Sequence, residues 1–274
     1  RFYRTNKLNE SLSIGTVAPM SHHDPNLIQP SDEQLLRSAP FAEAWARLDY
    51  VWQSGRRCAV VIGPSGVGKS TLLSRYATRL SAAHVSVAQL AATGLASYNL
   101  ATMLVEAWGG RLKSGQYPTI ALADQLAVLA AEGRSAALFL DNADEMTLDS
   151  VNVILQLLRA PTQPDAKVVV VLAAQEGSLR QIDRRILELC ELRIDLDPWS
   201  VEETQEYVES TLLEQEDFPE LDDAAIARIH ALSAGSPRRV AQLLKLSLTT
   251  GAAQHLPQID AETIEGLYGE LGVL

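Results

Sequence analysis

The sequence predicts an α/β protein: a three-layer αβα core built on a parallel sheet, followed by a small all-helical domain. Continuous apolar runs of strand length, "CAVVIG", "AALFLD" and "KVVVVLAA", have the character of strands buried on both faces, as in a parallel sheet. Segments with helical spacing alternate with these runs, as successive strand–helix units require. After Pro198 only helical patterns continue.

Taken in order, residues 1–33 are polar and rich in turn formers, and are expected to be an extended arm or linker. His22 and His23 fall there, and two adjacent histidines in a loop do not by themselves make a metal site. From Phe41, apolar residues recur at helical spacing through Trp45, Leu48, Val51 and Trp52. "CAVVIG" is then a strand and "KSTLLSRYATRL" a helix, with "HVSVAQLA" a second strand. "LATMLVEAWGG" is a helix stopped by Gly109 and Gly110, and "TIALADQLAVLAAEG" is another helix. "AALFLD", "KVVVVLAA" and "LRIDLDP" supply the remaining strands. The core is expected to span residues 34–199 and the helical domain residues 200–274. That domain opens on Ser200 and Glu203, spaced as a capping box.

Composition narrows the classes. The chain has 274 residues, 47% hydrophobic, with a mean hydropathy of +0.01, a globular profile with ample material for a core. No apolar run approaches the ~20 residues of a membrane span. Two cysteines, Cys58 and Cys190, support neither a disulfide framework nor a cysteine-built zinc site. They fit a reducing, cytoplasmic setting, with any membrane association arising through regions or partners outside this chain. The net charge of −11 is concentrated: residues from Ser200 onward hold 14 acids and four bases. Such an acidic segment repels a phosphate backbone and disfavours a broad nucleic-acid surface there.

"GPSGVGKST" places Gly63, Pro64, Ser65, Gly66, Val67, Gly68, Lys69, Ser70 and Thr71 between a strand and a helix, in the pattern G-x-x-x-x-G-K-[ST]. Glycines let the backbone wrap a polyphosphate, and the helix N-terminus presents N–H groups to it. Lys69 is suited to the β/γ-phosphates and Ser70 to Mg²⁺. The guanine-specificity pattern N-K-x-D is absent.

With the P-loop, "LFLDNADEM", "VVVVLAAQEGSLR", "LRIDLDPWSVEETQEYVESTL" and "LSAGSPRRV" in place, the chain from Phe41 onward resembles the AAA+ ATPases. Within them it resembles the general-secretion-pathway A (ExeA) type and the TniB/TnsC transposition regulators. The resemblance implies ATP and Mg²⁺ as cofactors. It implies Asp141 as the aspartate holding Mg²⁺ through water, and Gln175 as the residue sensing the γ-phosphate, with a strand-end cap as its alternative role. Arg238, or Arg239 beside it, is implied as the arginine reaching phosphate from the helical domain. A cation near a helix's positive end also calls for an anionic partner. Arg184 and Arg185 stand where such proteins carry a finger acting on the neighbouring subunit's nucleotide; surface charge is the alternative. An ATP-dependent homo-oligomer that remodels or regulates a partner complex is therefore expected, with DNA as an alternative partner. The adenine contacts are placed only by position, around Phe41 to Tyr50.

One residue departs from that pattern. Where such ATPases often place a water-activating glutamate, this chain has Asn142, which can hold water but cannot take its proton. Asp144 and Glu145 are the nearby carboxylates open to that role. Binding with slow hydrolysis, as in a nucleotide-gated switch, is the competing expectation.

Overall fold

The computed structural model describes residues 32–161, 166–213 and 219–271. His22 and His23 lie outside them. α1 (Asp32–Arg37) and α2 (Ala39–Gln53) lead into β1 (Cys58–Gly63) and α3 (Lys69–Ala82). There follow β2 (Ser86–Ala91), α4 (Ser97–Ala107), α5 (Pro118–Ala131), β3 (Ala136–Asp141), α6 (Leu148–Arg159), β4 (Val168–Gln175), α7 (Arg184–Leu187) and β5 (Leu192–Asp195). The C-terminal part comprises α8 (Val201–Leu213), β6 (Glu220–Leu221), α9 (Asp223–Ser233), α10 (Pro237–Ala253), β7 (Gln258–Ile259) and α11 (Ala261–Leu271).

The five long strands form one parallel sheet in the order β2-β3-β4-β1-β5. Its strands sort their side chains by the two-residue period of a pleated strand. Ala59, Val61, Ala137, Phe139, Val169, Val171 and Ile194 join one buried cluster with α2, α3 and the C-terminal helices. Cys58, Val60, Ile62, Leu138, Leu140, Val170 and Leu172 join a second with α4, α5 and α6. Both faces of the sheet are therefore covered, and all six residues of β1 are buried. This is the predicted three-layer αβα core.

The C-terminal helices share the first cluster through Tyr207, Ile229, Val240 and Leu244. Trp199 fixes their entry: its ring packs 5.1 Å from Tyr207, and its N–H donates to the Gly235 carbonyl at 2.8 Å. The expected capping box is formed. Ser200 N–H donates to Glu203 Oε2 at 2.8 Å, and Glu203 N–H donates to Ser200 Oγ at 3.2 Å.

Two expectations need correction, and one helix lies where none was assigned. The segment after Pro198 is not purely helical, because β6 and β7 pair as a two-residue parallel ladder. Their backbone bonds arise from packing and leave no periodic signal over so short a stretch. A helix begins at Asp32, inside the segment expected to be an extended arm. α6 also went unrecognised, although Val151, Ile154, Leu155 and Leu158 give it a buried stripe.

Candidate functional site

Strand order determines where the site lies. α3, which leaves β1, packs on one face of the sheet, whereas Ile186 of α7, which follows β4, packs on the other. Two adjacent strands whose connections part in this way open a crevice beyond their C-terminal ends. Gly63 and Gln175, the last residues of β1 and β4, are register partners there, and Asp141 ends β3 on the far side of β4. The crevice is a cavity of about 950 Å³.

The phosphate loop shapes one wall. Gly66 and Gly68 adopt φ of +85° and +107°, a backbone that side chains disfavour, and Gly68 is the N-cap of α3. Lys69, only 9% exposed, donates its ammonium to the carbonyls of Gly63 and Pro64, both at 2.7 Å. Burial pulls its pKa below the ordinary lysine value, while the charges of Asp141 and Asp144 oppose that shift. Ser65, Gly66, Gly68, Lys69, Ser70 and Thr71 all line the cavity. Val67 instead anchors the loop in the core, 3% exposed, and Pro64 contributes its carbonyl.

Asp141, Asn142 and Gln175 line the same cavity, as does Arg238 from α10. Arg238 reaches it because the start of α10 docks on the loop: its N–H donates to the Gly66 carbonyl at 3.3 Å, and Ser236 Oγ donates to the Ser65 carbonyl at 3.5 Å. Arg239 is not among the lining residues. Ser70 and Asp141 offer a hydroxyl and a carboxylate, hard oxygen donors that fit Mg²⁺. Among the described residues, no three His, Cys, Asp or Glu side chains cluster into a protein-only metal site.

Asn142 occupies the left-handed region, at φ 50° and ψ 44°. Its N–H donates to Asp141 Oδ1 at 2.9 Å and its side-chain amide donates to Thr93 Oγ1 at 3.3 Å. The two nearby carboxylates differ. Glu145 is exposed and accepts a 2.5 Å bond from the Thr93 hydroxyl. Asp144 keeps Oδ1 buried without a hydrogen-bond partner among the described residues. Neither lines the cavity.

Other residues fall elsewhere. Arg184 and Arg185 lie outside the cavity, their side chains 90% and 52% exposed, and pair locally with Glu188 and Asp183. The stretch from Phe41 to Tyr50 does not line the cavity either; Phe41 is buried in the core. The cavity is also lined by residues the sequence reading missed: Leu35, Arg75, Ala241, Gln242 and Lys245. Helical spacing could have found three of them, since Arg238, Ala241, Gln242 and Lys245 fall on one face of α10.

The fold is a three-layer αβα P-loop fold of the AAA+ kind. Residues 52–182 match the family model described as "AAA domain". Solved structures of that architecture superpose on most of the chain. The Aeropyrum pernix ORC1 protein, in complex with DNA, is 19% identical over 91% of this chain and 69% of its own, with a TM-score of 0.66. The Drosophila ORC bound to DNA gives 18% identity over 96% and 70%, with a TM-score of 0.67. The Thermotoga maritima RuvB Holliday junction branch migration motor gives 16% over 89% and 73%, with a TM-score of 0.59. At these identities the likeness is one of fold. No curated protein matches the chain. Among the described residues, no helix is long and apolar enough to cross a membrane.

Proposed function

We propose that the chain is a Mg-ATP-binding AAA+ ATPase that couples nucleotide binding and hydrolysis to self-assembly and to remodelling or regulation of a partner complex. The observation that carries this reading is convergence. Residues from five separate stretches, the phosphate loop, β3, β4, α1 and α10, line one crevice at the sheet's C-terminal edge. Lys69 and the loop N–H groups would hold the polyphosphate, and Arg238 would close on it from the helical part. Ser70 and Asp141 would hold Mg²⁺, which when bound draws charge from the terminal phosphates. Gln175 would orient the attacking water. Arg184 and Arg185, exposed and away from the chain's own crevice, suit action on a neighbouring subunit.

A nucleotide-gated switch with slow hydrolysis is the second reading, and Asn142 favours it. An amide at the expected place of the base cannot accept the proton of water. The relatives in fold include proteins solved with DNA. The acidic C-terminal part of this chain argues for a protein partner over broad DNA contact.

The test is nucleotide affinity and steady-state ATP hydrolysis by the parent and by Lys69→Ala. Tight Mg-ATP binding that Lys69→Ala weakens by about 10–100-fold supports the site. Binding indifferent to Lys69 would sink it. Turnover that rises with protein concentration and falls in Arg184→Ala/Arg185→Ala would place the finger in trans; measurable binding with negligible turnover would favour the switch.

A further inference from the structure

Cys58 and Cys190 are 132 positions apart in sequence, yet their sulfur atoms lie 2.8 Å apart. That is closer than two sulfurs pack without bonding and longer than an S–S bond of about 2.05 Å. The approach is held by backbone on both sides. Cys58 opens β1, the strand that leads into the phosphate loop, and is fully buried. Its carbonyl accepts the N–H of Glu191 at 3.0 Å, where the chain enters β5 beside β1. Cys190 N–H donates to the Ile186 and Leu187 carbonyls, both at 3.1 Å, tying that cysteine to the end of α7. The backbones that carry the two sulfurs are thus held by sheet and helix-end bonds, and only rotation about the Cα–Cβ bonds moves either sulfur.

The two thiols also differ in access. Cys190 is half-buried, whereas Cys58 is sealed in the core beneath α6 and α7. The hydrogen bond with Cys190, together with burial, raises the Cys58 thiol pKa well above the usual range, so Cys190 is the sulfur that meets a reagent first.

We propose that Cys58 and Cys190 are a reversible modification site: a vicinal dithiol that a small-molecule disulfide converts to an intrachain disulfide. The Cys190 thiolate attacks one sulfur of the reagent, forming a mixed disulfide and expelling one thiolate, which takes up the proton Cys190 gave up. Cys58 then attacks the Cys190 sulfur, breaking the mixed disulfide, and its proton passes to the departing thiolate, which leaves as the second thiol. Two electrons pass from the protein to the reagent, and two small thiols are released for each bond made.

The link would join β1 to the turn after α7, at the end of the strands opposite the nucleotide crevice. It should raise stability, because it closes a long loop in the unfolded chain, and leave nucleotide affinity unchanged. This inference does not depend on the ATPase reading.

The experiment exposes the reduced, folded chain to mixtures of 2-hydroxyethyl disulfide and 2-mercaptoethanol, a neutral pair suited to a cysteine beside Glu191. Remaining thiols are then alkylated, peptides are mapped by mass spectrometry, and thermal melting is followed. The expected result is joint loss of both thiols, a Cys58–Cys190 crosslinked peptide within a monomeric chain, and a melting temperature raised by roughly 5–15 °C. Cys190→Ser should leave Cys58 reduced under the same mixtures, and Cys58→Ala should stop at the mixed disulfide on Cys190. Both thiols remaining alkylatable would overturn the proposal, as would a stable mixed disulfide in the parent chain or an oxidised chain that melts lower than the reduced one.

Discussion

The backbone N–H of Arg238 donates to the carbonyl of Gly66 at 3.3 Å, so the helix that carries the cavity's C-terminal arginine begins on the phosphate loop itself. A Cβ at Gly66 would sit 2.6 Å from Ser236 Oγ and 3.2 Å from Arg238 Cβ, in a backbone conformation at φ +85°. The loop and the start of α10 are therefore in direct contact.

Arg238→Ala keeps this backbone bond and removes only the guanidinium. It is expected to weaken nucleoside-triphosphate binding by about 10–100-fold, the range for one charge-assisted contact, with little change in melting temperature. Gly66→Ala is expected to weaken binding as well, and also to loosen the start of α10. Isothermal titration of ATP and ADP, with hydrogen exchange at residues 236–241, separates the two. Equal exchange in both variants would refute the docking role of Gly66.

Asn142 is fitted to a left-handed backbone that a longer side chain tolerates poorly, at φ 50°. Asn142→Glu is expected to cost about 1 kcal/mol of stability while raising ATP turnover by about 10²-fold or more if a general base is what the site lacks. Melting and steady-state hydrolysis check both parts. A stability loss with no gain in rate would place the water-activating group elsewhere, with Asp144 the next carboxylate to test.

Glu203 starts two helices at once. Its Oε2 accepts the Ser200 N–H at 2.8 Å, and its Oε1 accepts the Ala39 N–H of α2 at 2.7 Å. Glu203→Ala is expected to destabilise by about 1–2 kcal/mol, more than loss of one cap. Glu203→Gln should fall between, because one oxygen becomes a donor facing an N–H. Denaturant unfolding of the three proteins tests this; equal stability of parent and alanine variant would contradict it.

Asp149, in the first turn of α6, accepts the Ser97 N–H of α4 at 3.0 Å, joining two helix starts. A hydrogen bond from the Thr147 side chain, then the Ser97 N–H, hold its carboxyl well below the usual carboxylate range. Such a lowered folded-state pKa contributes stability that is fully present above the unfolded value near 4. The contribution is lost as pH falls through the folded value. Asp149→Asn is thus expected to melt below the parent at pH 7, with the gap narrowing under about pH 4. A gap independent of pH would show that charge plays no part.

The layered fold was legible because its signals are local. β1, β3 and β4 announce themselves as unbroken apolar runs, and the phosphate loop is nine contiguous residues whose chemistry depends on their order. Asp141, Gln175 and Arg238 were named through the family resemblance of the motifs that carry them, and all three line the cavity. β6 and β7 could not be found this way. Two residues carry no period, and only the packing of α8 to α11 brings them together.

The sequence alone determined the kind of fold: a parallel α/β core with a P-loop motif between a strand and a helix. These follow from residue type, order and spacing along one stretch of chain. Tertiary structure alone decided three further things. It lined the crevice with Leu35, Arg75, Gln242 and Lys245 and not with the stretch from Phe41 to Tyr50. It set Asn142 in a left-handed turn that explains why an asparagine is tolerated there. It also brought Cys58 to Cys190 across 132 positions. Each depends on contacts between segments distant in sequence, and those contacts exist only once strand order and helix docking have closed the chain on itself.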